Sequence, residues 1–244
     1  QAFLSDRLSA DHLEQITKTL ADDDAAPLGP GRMPAQLADR LTPPSLIEPG
    51  MKPAEHATAG EGTQAKPWVG ALGSYLSKLA QQKGTVRLPA GHYVVEAVTV
   101  PAGVWLVGER DVFLHAKEGV SGKALLNLEA RAGLVGVVLD AAKAGRVAGV
   151  ITGPGTVVAN NVIRHVPNGI GIRHVAEHGK PKQAWIVAND VSYTGLAGIR
   201  VDSGAYVGHN TVRHCGMTRE AKLANGDDGI IARHGSENVV IEHN

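Results

Sequence analysis

The chain has 244 residues, of which 43% are apolar and 20% are charged, so it can form one large domain or two small ones. Its 24 Lys and Arg residues balance 24 Asp and Glu residues, and this neutrality gives no reason to expect a nucleic acid or an anionic membrane as a partner. The sequence lacks a run of about 18 apolar residues, which predicts no membrane span. A single cysteine excludes an internal disulfide framework.

Residues 1–66 are predicted to form a helical and irregular extension. Four apolar residues in the first 24 positions follow roughly helical spacing: Leu8, Leu13, Ile16 and Leu20. Residues 27–64 are rich in Pro, Gly and Ala without periodicity, as expected of an extended segment. Pro67 suits the first turn of a second helix, which is predicted over about residues 67–83 and ends at Gly84.

The segment after this helix carries a family resemblance. GTVRLPAGHYVV (residues 84–95) and VPAGVWLVGE (residues 100–109) resemble the entry of right-handed parallel β-helix proteins of the pectate-lyase-like superfamily, in which an amphipathic helix caps the first coil. The resemblance implies an all-β solenoid over residues 67–244, preceded by the N-terminal extension. Polysaccharide lyases, mannuronan C5-epimerases, polygalacturonases and phage tailspikes share this architecture, so the resemblance does not select one activity.

Internal repeats predict the same fold. Five short segments end at residues that are 21, 29, 20 and 34 positions apart: Asp140, Asn161, Asp190, Asn210 and Asn244. A repeat of about 21 residues suits one coil of three short strands, and the longer intervals indicate loops inserted into the same coil. The end residues are interpreted as turn residues. Four glycines are predicted to stack on successive coils: Gly149, Gly169, Gly198 and Gly229.

This alignment predicts outward-facing columns of polar side chains. On one side of the coil the columns are Arg173, Asp202 and Arg233; His174, Ser203 and His234; and Asn168, Ala197 and Asp228. On the other side of a turn they are Arg164, Tyr193 and Arg213, followed by His165, Thr194 and His214. A ladder of surface ion pairs is the alternative interpretation of the arginine and aspartate column.

The favoured function is C5 proton abstraction from a uronate-containing glycan, by a lyase or a C5-epimerase. Guanidinium groups can neutralise the sugar carboxylate, and histidine suits the base. The candidate catalytic residues are Arg173, His174, Asp227, Asp228, Arg233 and His234. The candidate substrate-binding residues are Lys180, Lys182, Arg200, Asp202, Arg219 and Lys222. No cofactor is required, although Asp202, Asp227 and Asp228 are candidate ligands for Ca²⁺.

Two other functions remain open. GDDGIIARHGSENVVIEHN (residues 226–244) resembles a polygalacturonase segment, which implies an inverting hydrolase with Asp227 and Asp228 as acid and base. A non-catalytic, tailspike-like or adhesin-like glycan-binding β-helix is the third possibility. In each case the expected partner is an acidic polysaccharide, and the expected location is secreted or periplasmic. The sequence ends in mid-coil, so a cap from missing chain or from an oligomer partner is expected.

Overall fold

The structure is a computed structural model that describes residues 43–47, 50–176, 183–218 and 228–244. The chain divides into two units, Gln1–Pro43 and Pro44–Asn244. The domain boundary expected after residue 66 stays a prediction, and the helix predicted around Leu8 to Leu20 lies outside the described residues. None of the helices in the described ranges is long and apolar enough to cross a membrane.

The second unit contains two short helices, α1 (Pro53–His56) and α2 (Ala71–Ser77). The predicted helix over about residues 67–83 is shorter in the structure, because Gly70 adopts a left-handed conformation (φ 74°) at its start. The two residues before Gly70 instead form strand β1 (Trp68–Val69), which pairs with the first coil. Helix α2 packs the buried side chains of Leu72 and Leu76 into the apolar core.

The remaining strands form three parallel sheets. Sheet 1 contains β2 (Gly84–Leu88), β5 (Val104–Gly108), β8 (Gly133–Val135), β11 (Thr156–Ala159), β14 (Ala184–Val187), β17 (Ala205–Gly208) and β20 (Val240–Glu242). Sheet 2 contains β1, β3 (Gly91–Val95), β6 (Val112–Ala116), β9 (Val138–Asp140), β12 (Val162–Val166), β15 (Asp190–Thr194) and β18 (Thr211–Arg213). Sheet 3 contains β4 (Val98–Val100), β7 (Ala124–Leu128), β10 (Ala148–Thr152), β13 (Ile172–His174), β16 (Ile199–Val201) and β19 (Ile230–Ala232).

Each coil of the solenoid contributes one strand to each sheet, in the order sheet 1, sheet 2, sheet 3. Coil 1 consists of β2, β3 and β4, coil 6 consists of β17, β18 and β19, and β20 begins a seventh coil. Every strand pairs in parallel with its equivalent on the next coil, about 4.8 Å away. The chain is therefore a right-handed parallel β-helix of about six turns, as the sequence predicts.

Apolar side chains from all three sheets fill the interior in columns. One column on each sheet is Leu106, Leu134 and Val158 on sheet 1; Leu114, Leu139 and Ile163 on sheet 2; and Leu126, Val150 and Ile172 on sheet 3. The outward-facing Trp105, Trp185 and Tyr206 of sheet 1 are buried as well. Large aromatic side chains thus cover part of the outer face of sheet 1.

An asparagine ladder fixes the corner between sheets 1 and 2. Its members are Asn161, Asn189, Asn210 and Asn244. The Asn189 amide nitrogen donates to the Val158 carbonyl at 2.9 Å and to Asn210 Oδ1 at 3.0 Å. Its Oδ1 accepts from the amide group of Asn161 at 3.0 Å. Each buried amide thereby ties one coil to both of its neighbours, which is the use expected of a buried polar group.

Two predicted alignments are wrong in register. Asn189 occupies the ladder position that was assigned to Asp190, and Val137 occupies the position assigned to Asp140, since Val137 N donates to Asn161 Oδ1. In the glycine column, Gly171 replaces Gly169, because Val150 N donates to Gly171 O and Ile172 N donates to Gly198 O. The chain segments that join the strands differ in length, and a match of short motifs cannot detect this.

The last coil is more exposed than the others. Ile241, which continues the inner column of sheet 1, is 43% exposed, whereas Val207 on the preceding coil is fully buried. The cap expected over this coil stays a prediction.

The ladder generates a test of what holds the coils in register. We expect Asn189→Asp to destabilise the fold by about 3 kcal/mol or more, because a carboxylate oxygen would face the Val158 and Asn210 oxygens without a proton to share. Urea unfolding followed by circular dichroism measures this loss. Asn238→Asp is the matched control, since Asn238 is exposed and also left-handed (φ 55°), and its loss should be below about 0.5 kcal/mol. Equal losses in the two variants would contradict the role of the ladder.

Candidate functional site

The predicted catalytic pair Arg173 and His174 does not share one face. Arg173 lies on the outer face of sheet 3 and pairs in register with Arg200. His174 points into the solenoid and is 1% exposed, so the expectation that it faces outward is wrong. Its Nδ1 lies 2.9 Å from Thr152 Oγ1, and its Nε2 lies 3.2 Å from the Ser203 carbonyl. Successive strand residues face opposite sides, which separates the guanidinium from the imidazole.

Arg233 and Asp202 form one ion pair of the predicted ladder, whereas its third member, Arg173, is in register with Arg200 and not with Asp202. The Arg233 Nη1 atom lies 3.8 Å from Asp202 Oδ2, which also accepts from the Ala176 amide at 3.2 Å. The Arg233 side chain is 57% exposed, so the pair contributes at most about 1 kcal/mol. Asp228 and His234 are exposed on the same coil.

Five predicted site residues lie outside the described residues: Asp227, Lys180, Lys182, Arg219 and Lys222. Among the described residues, no three His, Cys, Asp or Glu side chains form a group that could hold a metal ion. The role of Asp202 and Asp228 as Ca²⁺ ligands stays a prediction.

The outer face of sheet 2 carries a row of three neighbouring aromatic rings that extends over coils 4 to 6. The row consists of His165, Tyr193 and His214. The His165 and Tyr193 ring centroids are 5.3 Å apart, and those of Tyr193 and His214 are 4.8 Å apart. Tyr193 is 43% exposed. The predicted columns placed Tyr193 between Arg164 and Arg213, which is wrong by one residue because Ser192 occupies that position.

The three rings face outward because the backbone at these residues interrupts the inward and outward alternation of side chains along the strands. His165, Tyr193 and His214 have φ angles of 54°, 55° and 53°, in the left-handed region that bulky residues rarely adopt. Arg164 and His165 consequently both reach Asp140 on the preceding coil, although they are adjacent in the chain. Left-handed residues recur at another corner as well, for example at His209 and His243, so this conformation sets the direction of the rings and does not by itself mark a site.

Asp140 holds Arg164 and His165 in place. Its Oδ2 accepts from Arg164 Nε at 3.0 Å, and its Oδ1 lies 3.1 Å from His165 Nδ1. Burial alone would raise the pKa of Asp140. The hydrogen bonds from the Ala142 amide and His165, together with the charge of Arg164, outweigh burial and lower this pKa below its usual value.

An ionised Asp140 determines which nitrogen of His165 carries the proton. A carboxylate only accepts hydrogen bonds, so Nδ1 of His165 donates to it. In the neutral imidazole Nε2 is then unprotonated and can accept a proton from a ligand. The pair has the arrangement of a base and its orienting carboxylate.

A second arginine lies two coils away in the same column. Arg213 Nη2 donates to Asp190 Oδ2 at 2.7 Å, and Asp190 is buried. Between Arg164 and Arg213 the column holds only the short side chain of Ser192. Each guanidinium retains donors beyond those bound by its aspartate. Ser192 itself is buried, so an anionic group on this face would meet the arginines beside the exposed ring of Tyr193.

The same face continues onto coils 1 and 2 with a second aromatic cluster. The His92 ring stacks on Phe113 at 4.6 Å and on His115 at 5.1 Å, and His92 Nδ1 lies 2.8 Å from His115 Nε2. Burial lowers the pKa of both histidines, and the proximity of His92 lowers that of His115 further. His115 pairs in register with Asp140, so this cluster adjoins the site.

The row residues appeared in the predicted columns but not among the candidate catalytic residues. The row follows the Arg-His pairs 164–165 and 213–214, with Ser-Tyr at 192–193 in the coil between, but Arg-His also occurs at 173–174 and 233–234, so the pair is not a specific signal. Strict alternation places the second residue of each pair inside, and only the left-handed backbone places it outside.

The comparisons with known proteins support the fold. No family model matches the chain, and no curated protein sequence matches it. Among solved structures, the chain is similar to the A-module of mannuronan C-5 epimerase AlgE4 from Azotobacter vinelandii, with a TM-score of 0.53 and 16% sequence identity. The match covers 78% of this chain and 63% of that module, so the chain spans less than two thirds of the neighbour's length. At this identity the similarity shows the fold alone.

The lowered pKa values of His92 and His115 predict a pH-dependent stability. Below about pH 6.5 the unfolded chain binds protons that these two residues do not bind in the folded state, so stability falls as the pH decreases from there. Above that pH both states are neutral and the effect vanishes. We expect His115→Gln to reduce the decrease in thermal midpoint between pH 7 and pH 5.5. His243→Gln, which changes an exposed histidine, should keep the wild-type slope. An unchanged slope in His115→Gln would contradict this origin of the pH dependence.

Proposed function

We propose that this protein modifies a uronate-containing polysaccharide by abstracting the proton at C5 of the sugar, as a lyase or a C5-epimerase. The active site of this proposal is the row His165, Tyr193 and His214 with its flanking arginines. The observation that carries it is the contact of Asp140 with both Arg164 and His165 beside Tyr193. The similar fold of a mannuronan C-5 epimerase supports a uronate polymer as substrate. A secreted or periplasmic location belongs to the same proposal, since the substrate is an acidic polysaccharide.

The two arginines would make the C5 proton removable. Loss of this proton places negative charge on the carbon next to the carboxylate, and that charge is stabilised when donors neutralise the carboxylate oxygens. Arg164 binds Asp140 through Nε, which leaves its terminal nitrogens as donors. Arg213 binds Asp190 through one terminal nitrogen, so its other nitrogens can donate. A substrate carboxylate beside Tyr193 would accept hydrogen bonds from these remaining donors without the need for a metal ion.

The ring row would carry out the proton transfers. Nε2 of His165 takes the C5 proton, and the resulting imidazolium is stabilised by Asp140. The Tyr193 hydroxyl then donates a proton. In an epimerase the proton goes to the opposite face of C5, which inverts that carbon. In a lyase it goes to the glycosidic oxygen at C4 as the C4–O bond breaks and the C4–C5 double bond forms.

The alternative of an inverting hydrolase finds less support on this face. That reaction requires one protonated carboxyl group as acid and one carboxylate as base. Asp140 and Asp190 both bind arginines, and the lowered pKa of Asp140 opposes a role as proton donor. Asp228 is exposed on coil 6, and Asp227 lies outside the described residues. A hydrolase that uses Asp227 and Asp228 as acid and base stays a prediction.

The proposal is tested with a panel of uronate polymers. We expect either an unsaturated product, followed by its ultraviolet absorbance, or inversion at C5, followed by proton NMR. His165→Asn and Tyr193→Phe should each lower kcat by about 100-fold or more, as expected for loss of a general base or acid. Asparagine is chosen because it tolerates the left-handed backbone at residue 165.

His243→Asn is the matched control, since His243 is an exposed left-handed histidine at a corner away from the row. This variant should retain wild-type turnover, and all variants should be compared per folded molecule. Full activity of His165→Asn would exclude the row as the active site. New reducing ends without an unsaturated product would indicate the hydrolase, and glycan binding without any product would indicate the non-catalytic β-helix.

A further inference from the structure

The surface column that holds Asp140 also contains a histidine that the proposed reaction does not use. From coil 2 to coil 4 this column of sheet 2 reads His115, Asp140 and Arg164, and the three residues pair in register. Asp140 therefore has an imidazole on one side and a guanidinium on the other, each about 4.8 Å away at the backbone. All three residues are partly buried.

Contacts with the first two coils hold His115 in place. Its Nε2 atom lies 2.8 Å from His92 Nδ1, and the His92 ring stacks on Phe113 at 4.6 Å. A contact of this length between two imidazoles is an N–H···N hydrogen bond, in which one nitrogen donates and the other accepts. The accepting nitrogen has to be without a proton, so the pair can carry one positive charge but not two.

A proton taken up by His115 would meet charged groups on the strands around it. Burial is the largest effect and opposes the charged form. Three groups oppose it as well: His92, Arg164 and Lys143. The Asp140 carboxylate favours the charge, but it is outweighed, so the pKa of His115 lies below its ordinary value. His115 is therefore neutral near pH 7 and becomes charged only below about pH 6.5.

A charged His115 would compete with His165 for the carboxylate between them. Asp140 accepts from Arg164 at Oδ2 and from His165 at Oδ1, and His115 is not among the hydrogen-bond partners described for it. An imidazolium attracts a carboxylate with a full charge, whereas a neutral imidazole attracts it only through a hydrogen bond. Movement of Asp140 toward His115 would remove the acceptor that keeps the proton of His165 on Nδ1. The new positive charge would also oppose the uptake of a proton by His165.

We propose that His115 is a positioning residue through which acid switches off the base of the site. When His115 takes up a proton, the contact between Asp140 and His165 weakens and the base loses its orientation. This inference rests on the proposed function, in which His165 takes the C5 proton. His115 itself touches neither the substrate nor the reacting atoms, and its charge determines how steeply activity falls in acid.

An NMR titration tests the coupling without substrate. The imidazole signals of His165 are followed from about pH 8 to about pH 5. The wild type should show two steps, one from the protonation of His165 and one from that of His115, because interacting groups report each other's charge. His115→Gln should leave one step, and the control His243→Gln, which changes an exposed histidine away from the row, should keep both. A single step in the wild type, or two steps in His115→Gln, would overturn the inference.

The pH profile of turnover tests the consequence for activity. Toward acid, kcat/KM of the wild type should fall by more than 10-fold per pH unit, since protonation of either His165 or His115 removes activity. In His115→Gln the fall should be about 10-fold per pH unit, as expected for one group. His92→Phe retains an aromatic ring next to Phe113 and removes a group that lowers the pKa of His115, so its activity should begin to fall at a higher pH.

The two measurements distinguish this inference from the proposed reaction. Absence of turnover on every uronate polymer, together with two steps in the His165 titration, would refute the reaction and support the coupling. Equal slopes in the wild type and in His115→Gln, measured per folded molecule in an active enzyme, would overturn the inference while the reaction stands.

Discussion

The parallel pairing of each strand with its equivalent one coil later is the constraint on which the other features of this protein depend. It gives every residue of sheets 1 to 3 a counterpart about 4.8 Å away, so side chains of similar position form columns. Apolar columns build the core, and amides such as Asn189 connect the coils at one corner. The same rule places Arg173 against Arg200 and Arg164 two coils from Arg213. The core columns, the asparagine ladder and the surface columns thus all follow from the parallel register of the coils.

Function on this scaffold depends on a local departure from the strand geometry. The left-handed residues His165, Tyr193 and His214 place their rings on the face that their arginine and serine neighbours already occupy. Asp140 can then bind a guanidinium and an imidazole at once, which a regular strand would hold on opposite faces. The regular coils form a rigid base. The left-handed backbone, repeated on three successive coils, places a continuous row of ionisable groups on it.

The sequence predicted the architecture because repeat length and apolar alternation depend on many residues, and local errors average out. It did not predict the register at Asp140, Gly169 or Asp190, where inserted turn residues shift the alignment by one to three positions. The predictions for the candidate site were affected most, because a shift of one residue moves a side chain from the inner to the outer face of a strand. His174 was predicted outside and lies inside, whereas His165 lies outside only because of its backbone angle.

The central claim is that acidic glycan chains meet the ring row on the outer face of sheet 2. Proton–carbon NMR of the imidazole rings tests it directly, because nine of the 11 histidines lie in the described residues, some in the row and others away from it. During titration with an oligouronate, the signals of His165 and His214 should shift in a saturable manner. The signals of the buried His174 and of His56 near helix α1 should stay in place. Saturable shifts confined to His234 on the last coil, with His165 and His214 unchanged, would contradict the account.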